Sequence, residues 1–249
     1  TLLRAMFDSA VNLALPAHTL RQHLRPKPKG RTIIVGAGKA AAAMARAVEA
    51  EWVDLGLAGE LTGLVITRYG HSSETRWIEV VEASHPIPDT AGVSATARIH
   101  ELVSNLTEED LVLCLLSGGG SALLTLPALG IKLDEKKSIT QDLLHCGATI
   151  SEINCVRKHL SAVKGGRLAA VASPAEVVTL AISDVPGDDP AVIASGPTIA
   201  DPTTLADANE VIGKYGIRLP QAVQAHLDRA DAETPKPGSS LLKRASVRL

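Results

Sequence analysis

The sequence predicts an α/β fold with a doubly wound, mostly parallel sheet in a Rossmann-like, three-layer arrangement. Short aliphatic runs alternate with segments of helical pattern along the chain. These runs are continuously apolar, which is typical of strands that helices cover on both faces. Hydrophobic residues make up 45% of the 249 residues and aromatic residues only 2%. The core is therefore expected to consist of small aliphatic side chains, which suit close packing of helices on a sheet.

Six apolar runs predict strands, and helical patterns lie between them. The predicted strands cover residues 32–35, 64–67, 77–81, 111–116, 177–182 and 245–249. Predicted helices include an Ala-rich segment that runs to about residue 52, one that begins near residue 90, and segments at 153–164, 205–215 and 220–230. Strands separated by helices need crossover connections, so the pattern favours parallel pairing.

A stretch rich in Pro and Gly at residues 233–240 has the composition of a linker. The sequence therefore predicts one domain over residues 1–232. Residues 233–249 are expected to form a linker and the first strand of a second domain, which is missing or truncated in this chain.

Composition and charge exclude several classes of function. The chain has 25 Lys and Arg against 27 Asp and Glu, and only two Trp, two Tyr and one Phe, which argues against binding to nucleic acid. No apolar run reaches the roughly 18 residues of a membrane span, and Asp8 and Asn12 interrupt any secretion signal. A cytoplasmic location is expected. Three widely spaced cysteines indicate neither a disulfide framework nor a zinc site.

The first candidate binding segment is the glycine turn that contains Gly36, Gly38 and Lys39. Its glycines are expected to leave backbone N–H groups free to face an anion at the start of a helix. The turn departs from the dinucleotide fingerprint, because the next strand ends in Arg68 and not in an acidic residue. It also lacks the glycine and hydroxyl spacing of a Walker loop. A tight turn with a solvated lysine is the structural alternative.

The second candidate segment is a run of three glycines after a buried strand. It consists of Ser117, Gly118, Gly119, Gly120 and Ser121. Successive glycines let the backbone approach a ligand closely and form a nest for phosphate oxygens. A nucleophilic serine is the competing interpretation, but the spacing lacks the final glycine of an esterase elbow.

The third candidate segment is a helical pattern with cationic side chains opposite an apolar stripe. Three of these cations, Arg157, Lys158 and Lys164, are candidates for binding an acidic substrate. A solvated basic face is the structural alternative. The glycine pair at 165–166 favours binding, because paired glycines break a helix where a ligand or another backbone comes close.

The fourth candidate segment is an acidic turn after the fifth strand, with Asp184, Asp188 and Asp189. Mg²⁺ bound with a nucleotide typically uses one or two carboxylates. Capping of a following helix is the alternative for Asp188 or Asp189. His85, between a strand end and a proline, is a candidate base or substrate ligand, although a lone histidine in a loop is more often neither.

Five strings in this order and spacing resemble the class II glycerate kinases, the MOFRL-type family, whose older name is hydroxypyruvate reductase. The strings are GAGKAA, SHPIPD, SGGGSAL, NCVRKHLSAVKGGRLA and ISDVPGDDPAVIASGPT. The resemblance implies phosphorylation of D-glycerate by ATP, generally to 2-phosphoglycerate, with Mg²⁺ and with a cleft between two α/β domains. It places residues 233–249 at the entrance to the MOFRL-type domain. Because that domain supplies an essential arginine, this chain alone is expected to be inactive.

Carried over to this sequence, the resemblance marks Lys39 as catalytically essential, residues 117–121 as the phosphate loop and the acidic turn as functional. For phosphoryl transfer, Lys39 would meet the moving group, Asp184 or Asp189 would hold the metal, and Arg157 or Lys158 would bind the glycerate carboxylate. Asp188 and His85 both remain eligible as the general base.

Two other functions remain open from the sequence. One is an NAD(P)H-dependent hydroxypyruvate reductase, in which Arg68 reads a 2′-phosphate. The other is a non-catalytic domain that binds sugar phosphates. For the kinase the expected partners are D-glycerate and ATP. The sequence leaves the oligomeric state open, with a homodimer as the candidate assembly.

Overall fold

The computed structural model describes residues 1–13 and 15–249, and its strands form one six-stranded sheet. The strands are β1 (Thr32–Ala37), β2 (Leu61–Arg68), β3 (Ile78–Ala83), β4 (Leu111–Leu116), β5 (Glu176–Ala181) and β6 (Ala245–Arg248). Their order across the sheet is β3-β2-β1-β4-β5-β6, and every neighbouring pair is parallel. This order is that of the classic dinucleotide-binding domains. The predicted α/β fold is confirmed.

Ten α-helices connect and cover these strands within the described part of the chain. They are α1 (Leu2–Leu13), α2 (Pro16–Thr19), α3 (Ala41–Asp54), α4 (Thr90–Leu102), α5 (Gly120–Leu123), α6 (Leu133–His145), α7 (Ile150–His159), α8 (Arg167–Ala172), α9 (Leu205–Lys214) and α10 (Gln221–Leu227). Short 3₁₀ turns lie at Leu20–His23, Ile193–Ser195, Ala230–Ala232 and Ser240–Leu242. None of the described helices is long and apolar enough to cross a membrane.

Two apolar layers flank the sheet because successive side chains of a strand point to opposite faces. Every residue of β1 and β4 is buried, as the continuous hydrophobicity predicts. Ile34 packs on the side of α3, which contributes Met44 and Trp52. Ile33 and Val35 pack on the side of α4 and α8.

A third apolar cluster lies among the helices α6, α7, α9 and α10. It includes Ile139 and Leu143 of α6, Val156 of α7, Val211 of α9 and Leu227 of α10. Helix α7 begins with a capping box, in which the Thr149 hydroxyl accepts a hydrogen bond from the Glu152 N–H. The cluster holds α6 and α7 beside the sheet, where they reach the loops at the carboxyl ends of its strands.

The structure differs from the predicted helix at 153–164. Helix α7 ends at His159, and Ser161 pairs with Pro127 in an isolated bridge. Lys158 and Lys164 are both buried, so the prediction of a continuous cationic face on one helix is wrong. The glycines at 165 and 166 do interrupt the helical pattern, since both have positive φ and Gly166 precedes α8.

The last predicted strand joins this same sheet. Residues 245–248 form β6, which pairs in parallel with β5. The segment 233–240 leads into it through a 3₁₀ turn at Ser240–Leu242. The domain boundary at residue 232 stays a prediction, but β6 itself belongs to the sheet of the first unit.

Candidate active site

Four loops meet at the carboxyl ends of the strands. They follow β1 (residues 38–40), β3 (84–89), β4 (117–119) and β5 (182–190). Because all strands are parallel, their carboxyl ends lie on one edge of the sheet, where open α/β folds bind ligands. Each of the four loops carries one of the motifs that the sequence singles out.

The first glycine turn uses its backbone amides inside the protein. The Gly38 N–H donates to the Ile66 carbonyl at 3.0 Å and the Lys39 N–H to the Gly118 carbonyl at 2.9 Å. The Ala40 N–H donates to the Ser117 hydroxyl oxygen at 3.0 Å. Backbone donors that already have protein acceptors are not available to an anion. The expectation that these amides face a phosphate is therefore wrong.

Gly36 and Gly38 have a different physical role from the predicted one. Gly36 lies inside β1, where a methyl group would overlap the Leu115 carbonyl of β4. A methyl group on Gly38 would overlap the Ser117 hydroxyl. Gly36 thus allows β4 to lie close to β1, and Gly38 allows the loop after β4 to pack directly on the loop after β1. This close approach requires the absence of a side chain, which is the property that glycine supplies.

The second glycine loop keeps two amides free. Among the described residues, neither the Gly118 N–H nor the Gly119 N–H donates a hydrogen bond to a protein acceptor. Gly119 adopts a left-handed conformation with φ of 86°, and the Gly120 N–H closes the turn on the Ser117 carbonyl at 3.1 Å. Successive unpaired N–H groups in such a turn form an anion-binding nest. The geometry is compatible with the predicted phosphate loop.

A lysine, an imidazole and a carboxylate surround this glycine loop. A methyl group on Gly119 would lie 3.0 Å from His85 Nε2 and 3.4 Å from Lys39 Cε. A methyl group on Gly118 would overlap the Asp184 carboxylate. Three residues that are far apart in sequence, each from a different loop, therefore reach the same two glycines. The chemistry available there is one cation, one titratable base and one anionic oxygen ligand beside free amides.

The surroundings of His85 favour its neutral form. Burial lowers the pKa of the imidazole, the positive charges of Lys39 and Arg68 lower it further, and the Asp184 carboxylate opposes them. A histidine with a lowered pKa is unprotonated at neutral pH and can accept a proton. This property fits one of the two candidates for the general base.

The three aspartates of the acidic turn occupy different positions. Asp184 is exposed beside Gly118. Asp189 Oδ1 accepts a hydrogen bond from the Ala191 N–H at 2.9 Å, as in an Asx turn. Asp188 lies in the left-handed region with φ of 53°. The structure thus brings Asp184, but not the other two, against the glycine loop.

The cations predicted to bind substrate have distinct partners. Arg157 donates to the Ser121 carbonyl at 3.0 Å. Lys158 forms a buried ion pair with Asp201 at 3.2 Å. Lys164 is fully buried and donates to the carbonyls of Ser121 and Leu124, each at 3.0 Å. The ammonium groups of Lys158 and Lys164 are therefore engaged within the protein.

Comparison with known proteins identifies the family. A model described as Domain of unknown function (DUF4147) matches residues 2–228. The chain belongs to this family. An Agrobacterium vitis protein that carries the name "Putative hydroxypyruvate reductase" is 54% identical over 236 residues, covering 95% of this chain and 53% of that protein. The D-glycerate 2-kinase of Thermotoga maritima is 45% identical over 228 residues, covering 91% of this chain and 53% of that enzyme.

A solved structure supports the same family relationship for the DUF4147 chain. The crystal structure of glycerate kinase from Thermotoga maritima matches with a TM-score of 0.86 at 41% identity, covering 97% of this chain and 56% of that chain. The resemblance carried by the five motifs is confirmed at the level of the family. The chain spans about half the length of the relatives that it matches.

The DUF4147 chain holds functional features that sequence reasoning missed. Lys164 supports the end of the second glycine loop, a role that differs from its predicted part in substrate binding. The Ser121 and Ser195 hydroxyls lie 2.8 Å apart and connect this loop to a segment in which Ala194 and Ser195 have positive φ. Non-glycine residues in that conformation indicate a constrained backbone. Lys136 lies in α6, a helix that contains none of the four candidate segments, and it is buried beside Arg157.

Proposed function

We propose that this chain is the phosphate-binding half of a D-glycerate kinase that transfers the terminal phosphoryl group of ATP to the 2-hydroxyl of glycerate. The observation that carries this proposal is the convergence of Lys39, His85 and Asp184 on the free amides of Gly118 and Gly119. Relatives named D-glycerate 2-kinase and glycerate kinase support it. A cytoplasmic location and a homodimer stay predictions.

Phosphoryl transfer needs charge neutralisation and accurate positioning more than covalent chemistry. In this proposal the Gly118 and Gly119 amides bind phosphate oxygens, and the Lys39 ammonium neutralises charge on the transferred group. The free N–H groups of Arg157 bind the glycerate carboxylate, while one N–H holds the Ser121 carbonyl. His85, whose pKa is lowered, accepts the proton of the attacking hydroxyl, with Asp188 as the other candidate.

The acidic turn can supply the one or two carboxylates that a nucleotide-bound Mg²⁺ needs, but not a full set of protein ligands. The described residues contain no cluster of three His, Cys, Asp or Glu side chains that could enclose a metal. A nucleotide-bound Mg²⁺ needs only one or two carboxylates, with water and phosphate oxygens as its other ligands. Asp184, exposed beside the phosphate loop, would hold it, and Asp189 has one carboxylate oxygen left to assist. When bound, the ion would neutralise charge on the phosphate oxygens.

The test removes the Lys39 ammonium in a protein that carries this chain together with the second half found in its relatives. We expect Lys39→Ala to lower turnover of D-glycerate with ATP by at least about a hundredfold, about 2.7 kcal/mol in transition-state stabilisation. ADP release measures the rate, and circular dichroism checks the fold. Lys29→Ala, which removes an exposed lysine next to the same strand, is the matched control. Near-normal turnover of Lys39→Ala would refute the assignment.

A hydroxypyruvate reductase is the second candidate, favoured by the strand order and by the name of the Agrobacterium vitis relative. A bound dinucleotide would place its pyrophosphate on free amides of the turn after β1. The amides of Gly38, Lys39 and Ala40 all have protein acceptors, which favours the kinase. Oxidation of NADPH with hydroxypyruvate in the absence of ATP would support the reductase. Ligand binding with no reaction of either kind would favour a sugar-phosphate binding domain.

A further inference from the structure

A basic pocket of about 450 Å³ lies between residues 86–88 and helix α6. Its lining includes four basic side chains and no acidic one, and the four are Lys136, Lys137, His145 and Arg157. Apolar residues such as Ile87 and Leu144 line the remainder. The pocket shares none of its lining residues with the glycine loop or the acidic turn. Arg157 is the one lining residue that also takes part in the proposed function, so the pocket adjoins the proposed glycerate site.

Lys136 is the unusual member of this group. The residue is 5% exposed, and its Nζ has no hydrogen-bond partner among the described residues. Lys137, the next residue, is 29% exposed and lies 3.7 Å from the Asp134 carboxylate. Burial of an ammonium without a partner is costly, and proteins normally pair such a group or bind an ion to it. The unpaired amine of Lys136 thus needs an explanation.

The neighbours of Lys136 are also basic, which favours an anion as its missing partner. The Arg157 guanidinium and the Lys164 ammonium are its charged neighbours. Within the described residues, no carboxylate lies within 4.0 Å of the charged nitrogens of these three side chains. Burial and the charge of Arg157 lower the pKa of Lys136 to about 7. An anion in the pocket would restore the charged form.

We infer that this pocket binds a small organic anion, with its carboxylate or phosphate group on Lys136 and Arg157 and its carbon part against Ile87 and Leu144. Lys136 supplies a point charge, and Arg157 supplies N–H donors that its single bond to the Ser121 carbonyl leaves free. The inference rests on the proposed function through Arg157, which the two sites share, and it uses neither Lys39 nor the glycine loop.

The experiment follows backbone amide shifts of the 249-residue chain by NMR while acetate or inorganic phosphate is added in a low-salt buffer. Thr125 and Thr140, which line the pocket, report on the proposed site, and Gly118 and Gly119 report on the glycine loop. We expect Thr125 and Thr140 to shift with a Kd of about 1 to 10 mM, typical of weak anion binding. Comparison of acetate with phosphate shows which anionic group the pocket prefers.

Three variants assign the response to a residue. Lys136→Met is expected to weaken the response of Thr125 and Thr140 by at least about tenfold. Lys132→Met removes an exposed charge at the residue just before the same helix, about one turn from Lys136, and is expected to change nothing. Lys39→Ala is expected to remove the phosphate response of Gly118 and Gly119 only, so failure of the kinase proposal and failure of this inference are distinguishable. An unchanged response in Lys136→Met would overturn the inference.

A readout on the unmodified chain covers the case in which Lys136→Met does not fold. The ε-carbon resonance of Lys136 is titrated against pH with and without each anion. Binding is expected to raise the pKa of Lys136, because a nearby negative charge favours the ammonium form. No change with either anion would also overturn the inference.

Discussion

Two buried lysines on neighbouring helices, Lys158 of α7 and Lys136 of α6, differ in what faces them. The two residues are 6% and 5% exposed. Lys158 pairs with Asp201, whose oxygens also accept hydrogen bonds from Thr203 and Thr234. Lys136 has no such partner. Lys158 therefore serves the fold through an acid matched to it, whereas Lys136, which has no hydrogen-bond partner for its Nζ, indicates a site that a ligand completes.

The largest effect is expected from breaking the paired lysine. Lys158→Met removes the only ammonium that contacts Asp201 among the described residues and leaves a buried carboxylate uncompensated. The free energy of unfolding is expected to fall by about 3 to 5 kcal/mol, as for other broken buried pairs. Urea unfolding at pH 7 measures the loss. The double variant Lys158→Met with Asp201→Asn should recover part of it, and a loss under about 1 kcal/mol would contradict the assigned role.

The same substitution at the unpaired lysine is expected to have the opposite sign. Lys136→Met replaces an unsatisfied buried amine by an apolar side chain of similar length. The free energy of unfolding is expected to rise by about 1 to 3 kcal/mol at pH 6 without added anions, because the penalty of an unpaired polar group disappears. The same urea experiment tests it. Destabilisation equal to that of Lys158→Met would show that the two lysines are structurally equivalent.

A pH dependence of the free energy of unfolding separates the two lysines further. The pKa of Lys136 is about 7 in the folded chain, against 10.5 for an ordinary lysine. Between these values the unfolded chain binds more protons, so stability rises with pH in the wild type relative to Lys136→Met. The advantage of Lys136→Met is therefore fully present below pH 7 and shrinks toward pH 10. Urea titrations at several pH values measure it. A constant difference would mean that Lys136 is charged at neutral pH.

Sequence patterns predict the sheet well because burial on both faces leaves a continuous apolar signal. Residues 111–116 are predicted and observed as the same strand, and the other strand ends differ by a few residues. The convergence of four loops on one edge is also predictable, since it follows from parallel strands. The order of those strands across the sheet is not predictable from the same patterns, because it depends on packing between distant segments.

The electrostatic details of the site could not be predicted from residue types alone. Both glycine turns suggest free amides, yet only the second keeps them, because Ser117 and its neighbour Gly118 supply acceptors to the first. Lys158 and Lys164 fit the pattern of a solvated helix face, but the chain leaves the helix at His159 and buries them. Lys136 gives no signal at all, since an isolated lysine in an amphipathic helix usually faces water.

The bonds from the Lys39 and Ala40 amides to the neighbouring loop have a mechanical consequence. These hydrogen bonds join the loop that carries Lys39 to the loop that carries Gly118 and Gly119. The backbone at Lys39 therefore cannot move without moving the two glycine amides with it. The spacing between ammonium and nest can then change only through rotation about the lysine side-chain bonds. Ligands of different size would be accommodated by a change in the Lys39 side-chain conformation, while the glycine loop keeps its backbone conformation.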